Sequence, residues 1–150
     1  MDKFMQMAIQ EAKKGVAKQH GGPFGSVIVK DGVVISKGHN HVVINHDPTH
    51  HGEIDAIRKA GKKLKSFDLS GCILYTTAEP CPMCLGAIQW ANIETVHYGC
   101  NVVDTEAIGF RDKRFYEDKN KPIIQLIETD RQACKKLFDD YQHMTQKTLY

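Results

Sequence analysis

The stretch GSVIVKDGVVISKGHN, residues 25–40, decides the architecture. Two β-branched runs, GSVIVK and VVISKGHN, flank the pair Asp31-Gly32. An Asp-Gly pair favours the tight turn whose twist matches paired strands, so the stretch predicts a β-hairpin. Before it, Phe4, Met5, Ala8, Ile9, Ala12 and Val16 recur at helical spacing from Asp2 to about Lys18, and the HGGPFG segment ends that pattern.

After the hairpin, Asp47 is placed to cap a helix whose first residue is Pro48 and which runs to about Lys63. CILYTT reads as a strand, MCLGAIQWA as a helix, and TVHYG as another strand. Residues 100–120 are polar and irregular, the kind of long loop that often binds ligands. PIIQLIE predicts a fifth strand, and residues 130–150 a last helix with Ala133, Leu137, Phe138, Tyr141 and Met144 on one side. Strands alternating with helices after a hairpin predict an α/β fold, a three-layer α/β/α domain around a five-stranded mixed sheet.

A length of 150 residues suits one domain spanning 1–150. With 41% hydrophobic and 25% charged residues, the composition is that of an ordinary globular chain, not a disordered or collagenous one. The N-terminus resembles neither a signal nor a transit peptide, and no apolar run reaches a membrane span, so the expected location is the cytoplasm. Five cysteines, Cys72, Cys81, Cys84, Cys100 and Cys134, are odd in number and argue for thiol or metal use over disulfides. A net charge of +2 gives no basic footprint, and RKAGKKLK at residues 58–65 reads as the solvated end of a helix, so nucleic acid is not an expected partner.

Chemistry concentrates in two helix starts. PCPMC, residues 80–84, taken alone fits a redox pair, half a structural zinc site or two buried thiols. Its companion is His51-Gly52-Glu53. Cys81 and Cys84 share one helix face, and His51 adds a third ligand. Three protein ligands leave one tetrahedral position open, as catalytic zinc sites do. Zinc brings the pKa of a water in that position to about 7, and Glu53 is the carboxylate placed to carry its proton.

H-x-E followed by P-C-x-x-C is the signature of zinc-dependent nucleobase deaminases, and the chain resembles that cytidine/deoxycytidylate deaminase-like superfamily over nearly its whole length. The resemblance implies hydrolytic deamination, with water activated by zinc adding to the ring carbon that bears the amino group while Glu53 moves protons to the ring nitrogen and the departing amine. Backbone near Cys81 would help bind the developing charge.

GGPFGSVIVKDG, the DPT before the histidines, CILYTTAEPCPMCLGAIQWA, IGFRD at residues 108–112 and Tyr150 look most like the bacterial guanine deaminases. That likeness implies guanine as substrate, with Asn40 and Asp112 contacting the base, Asp112 assisting proton movement, and Phe24 and Trp90 as pocket walls. It also implies that a C-terminal tail carrying Tyr150 closes the active site, in a homodimer whose tail can come from the partner subunit. Cytosine, another amino-heterocycle and tRNA adenosine are alternative substrates, and a silent base- or RNA-binding domain is the alternative outside catalysis. Gly52 and His50 depart from the pattern: Gly52 is expected to free space near the metal, and His50 to sit at the pocket rim and tune ring choice. Cys72 and Cys134 read as buried small hydrophobes, and the role of Cys100 stays open. His20, His39, His41, His46, His97 and His143 show no ligand spacing.

Overall fold

The computed structural model describes residues 2–117, 124–125 and 127–149. Its chain divides into two compact units, Met1–Glu117 and Asp118–Tyr150.

In the first unit, α1 (Lys3–Ala17) is followed by β1 (Gly25–Lys30) and β2 (Val33–His39), and the hairpin turns at Asp31-Gly32 with positive φ at both residues. The Asp2 carboxylate starts α1 by accepting from the N–H groups of Phe4 and Met5. Next come α2 (Val42–Asn45), α3 (Gly52–Leu64), β3 (Cys72–Ala78), α4 (Pro82–Trp90), β4 (Thr95–Cys100), α5 (Val102–Ala107) and α6 (Asp112–Glu117).

The sheet order is β2-β1-β3-β4. β1 pairs antiparallel with both β2 and β3, and β3 pairs parallel with β4, so the sheet is mixed as expected. Burial along β1 explains its central place. Val27 and Val29 point to one face and pack with Ala8, Phe4 and Met5 of α1, while Ile28 points to the other with Leu74 of β3, Ala56 and Ala60 of α3 and Ile88 of α4. Side chains that alternate along one strand thus feed two cores, and helices cover both faces. Gly38 lets α3 approach β2, because a Cβ there would stand 2.5 Å from the Ala56 nitrogen and 2.6 Å from the Gly52 carbonyl oxygen.

Four expectations change. The sheet has four strands, not five: Ile124, Gln125, Ile127 and Glu128 form no strand, and the rest of PIIQLIE lies outside the described residues. An apolar run becomes a strand only by laddering to a neighbour. The helix expected from Pro48 begins at Gly52, because the Asp47 carboxylate accepts from the Thr49 N–H at 2.8 Å and hydroxyl at 2.6 Å, closing a turn of its own. The expected loop at residues 100–120 holds two short helices, and Asn101 and Asp104 start the first with a reciprocal capping box. In the second unit, α7 (Arg131–Gln142) begins and ends inside the expected helix, and Cys134 on it is exposed, not buried. Leu137, Phe138, Tyr141 and Met144 of that segment are exposed as well.

No helix of the described residues is long and apolar enough to cross a membrane.

Candidate functional site

His51 is the N-cap residue of α3 and Cys81 that of α4, both in extended conformation with no side-chain cap bond. Their side chains are therefore not spent on the helix ends they precede. Nδ1 of His51 lies 3.7 Å from the Cys81 sulfur and 3.6 Å from the Cys84 sulfur. A tetrahedral zinc with bonds of about 2.3 Å to sulfur and about 2.05 Å to nitrogen would set those atoms about 3.6 Å apart. The spacing and the donor chemistry of His51, Cys81 and Cys84 both fit zinc.

Electrostatics agree with this donor set. A hydrogen bond from Cys84, aided by His51, holds the Cys81 thiol down at about 4, while the same bond, burial and the nearby Glu53 push Cys84 up. The two sulfurs therefore share one proton, and a cation that takes its place makes both thiolates. His51 is pushed up chiefly by its bond to Cys81. Glu53 is buried, and desolvation pushes its carboxyl above the usual range. Its Oε2 lies 3.5 Å from the Cys84 sulfur, and its Oε1 accepts from the Thr76 hydroxyl at 3.4 Å.

These groups open onto a cavity of about 700 Å³ whose lining includes His51, Glu53 and Cys81. Phe24, Asn40 and Asp112 line it too. Asn40 is buried; its Oδ1 accepts from the Val42 N–H at 3.0 Å, which leaves its Nδ2 as the donor. Burial, and next the charge of Cys81, push the Asp112 carboxyl up.

Trp90 is elsewhere, 68% exposed at the end of α4 and not among the lining residues. Tyr150 lies outside the described residues. His50 is not at the rim either: its Nε2 donates to Asp55 at 3.1 Å and its Nδ1 accepts from Asn45 at 3.0 Å. Gly52 faces β1 and not the metal site, since a Cβ there would meet the Phe24 carbonyl oxygen at 3.0 Å and the Ser26 hydroxyl at 3.3 Å.

The residues missed by sequence reading are Phe110, Phe115 and Glu79. Phe110 meets Phe24 edge to face, ring centres 4.8 Å apart, and supplies the aromatic wall expected of Trp90. IGFRD contains it, but only the short helices α5 and α6 on either side bring it to the cavity.

Comparison with known proteins follows the same lines. The family model for the cytidine and deoxycytidylate deaminase zinc-binding region matches residues 1–100. Guanine deaminase of Bacillus subtilis is 50% identical over 119 residues, which are 79% of this chain and 76% of that protein. A tRNA-specific adenosine deaminase of Aquifex aeolicus is 45% identical over 146 residues, 89% of this chain and 93% of the other. The X-ray structure of the Bacillus subtilis guanine deaminase matches 100% of this chain and 99% of its own with a TM-score of 0.93, at 41% identity.

Proposed function

The chain belongs to the cytidine and deoxycytidylate deaminase family and is a zinc-dependent nucleobase deaminase, and within that chemistry we propose that it converts guanine to xanthine and ammonia. The observation that carries this reading is the company kept in one cavity: an aromatic wall of Phe24 and Phe110, the Nδ2 donor of Asn40 and the carboxyl of Asp112, beside Glu53 and the zinc ligands. A flat, polar-edged ring suits such a lining. The structural likeness to guanine deaminase also runs past residue 100, where the family match ends, through the segment that supplies Phe110 and Asp112.

His51, Cys81 and Cys84 would hold the zinc, which when bound would supply hydroxide at neutral pH. Glu53 then takes a proton as water adds to the carbon bearing the amino group. It would pass that proton to the ring nitrogen, then take the remaining proton from the added hydroxyl and give it to the departing amine as the carbon–nitrogen bond breaks and ammonia leaves. Burial pushes its carboxyl above the usual range, which suits a group that must both take and give protons. Phe24 and Phe110 pack against the ring. Asn40 donates to an acceptor on the base, and Asp112, whose carboxyl is pushed up by burial, bonds guanine's polar edge.

The chain acts as one functional deaminase domain over residues 1–150, located in the cytoplasm. It also forms a homodimer, a reading supported by the exposed apolar residues Leu137, Phe138, Tyr141 and Met144. Light scattering at twice the chain mass is the expected result; a monomer at micromolar concentration would remove that part.

The substrate is tested with zinc-loaded protein on guanine, cytosine, adenine nucleosides and a tRNA anticodon arm, read by ultraviolet absorbance and ammonia release. Turnover of guanine above the others is expected. Turnover of cytosine or of the anticodon arm with none of guanine would overturn the assignment.

A further inference from the structure

A second group of ligand-type side chains lies apart from the cavity lining. His39, at the end of β2, is 4% exposed, and its Nδ1–H donates to the Glu11 carboxylate at 3.1 Å. That bond leaves the lone pair of Nε2 outward, 2.9 Å from Nδ1 of His20. His41 donates from Nδ1 to the His39 carbonyl oxygen at 2.7 Å, which leaves its own Nε2. The rings of His39 and His41 stack with centres 4.2 Å apart, and His20 lies 4.9 Å from His41. One nitrogen from each of the three falls within 4.8 Å of the others.

Two of these imidazoles thus have their tautomer set through the far nitrogen, one by a carboxylate and one by a backbone carbonyl, and the stacked rings need to tilt for both lone pairs to meet one ion. Histidines that bind metal are held in this way. Burial keeps His39 and His20 below the usual imidazole range, which favours the neutral form that ligates. Glu11 and Asp55, the latter 3.8 Å from His41, supply negative charge close by. His41, His50 and Asp55 also lie close enough for an ion, but Asp55 already accepts from the Lys59 ammonium at 2.7 Å, the His39 N–H at 3.2 Å and His50 at 3.1 Å. An ion there would have to displace a lysine. At His20, His39 and His41 it displaces only the proton now shared at 2.9 Å, as His20 moves its hydrogen to Nε2.

We propose that His20, His39 and His41 form a second binding site for a divalent transition metal of the zinc, nickel or copper kind, for which imidazole is a suitable ligand. The ion joins the α1–β1 connection to the end of β2, on either side of Asn40 in the chain. This site does not depend on which base the enzyme deaminates.

The test is titration of tag-free, metal-stripped full-length protein with Co²⁺. Two equivalents are expected. One gives thiolate-to-cobalt absorption and is lost in Cys81→Ser; the other lacks that band and is lost in the double variant His20→Ala, His41→Ala, which keeps the thiolate signal as proof of folding. Should the double variant lose that signal too, His20→Gln replaces it, with at least a tenfold weaker second equivalent expected. Binding of one equivalent by the parent protein, or unchanged affinity for the second in the variant that folds, overturns the proposal.

Discussion

The two histidine-bearing clusters of the first unit differ in what surrounds them. His51 stands with two thiols and the buried Glu53 at the wall of a cavity of about 700 Å³. Of His20, His39 and His41, the last two have carboxylates beside their rings, and none of the three lines that cavity. Binding a cation needs only donors at the right spacing. Catalysis also needs an open coordination position, room for a substrate and a proton carrier whose pKa is moved toward neutrality. Of the two, the first cluster alone stands at a cavity beside a buried carboxylate whose pKa is pushed up.

The largest effect should come from the feature that separates the clusters most. Glu53→Gln keeps the shape and removes the proton carrier, so kcat should fall about 10²- to 10⁴-fold with zinc content intact; a fall of less than tenfold would take Glu53 out of its role. Next come the adjacent histidines. His51→Ala should weaken zinc at the thiol site by more than about 100-fold, beyond what the loss of a supporting partner costs, while His50→Ala leaves it bound. Metal analysis after dialysis reads the difference, and the opposite pattern would exchange the two residues.

Asn40 lines the cavity from the segment that joins His39 to His41. Asn40→Ala should raise KM for guanine about tenfold, the value of one hydrogen bond, with a smaller change in kcat; steady-state kinetics check it. The smallest effect belongs to His39, whose pKa is pushed down by burial. A group with a depressed folded value costs stability as pH falls from its unfolded value, about 6.5, toward the folded one. The metal-stripped chain should therefore melt a few degrees lower across that window, and His39→Gln should flatten the slope. A slope identical in the variant would place the titrating group elsewhere.

Much of this was legible in the sequence, for physical reasons. The hairpin could be read because Asp31-Gly32 and β-branched runs are local signals, and the meeting of His51 with Cys81 and Cys84 because H-x-E and P-C-x-x-C fix donor spacing at helix starts. The start of α3 could not: Asp47 is an equally good residue for a cap and for a turn, and only the folded chain shows the choice. Trp90 shows the same limit, since a large aromatic next to a motif carries no sign of which way its helix turns it. The second histidine cluster was illegible because His20 and His39 are 19 residues apart and meet only through the packing of α1 on the sheet.

The carbonyl oxygen of the Asn40 side chain is committed to the Val42 N–H, and this ties recognition to architecture. A mutation that retuned the pocket for another ring by changing Asn40 would also release the chain just after β2. Drift toward a new substrate at this position is therefore taxed by folding, and variation should be easier at Phe24 or Phe110, where only the wall is at stake.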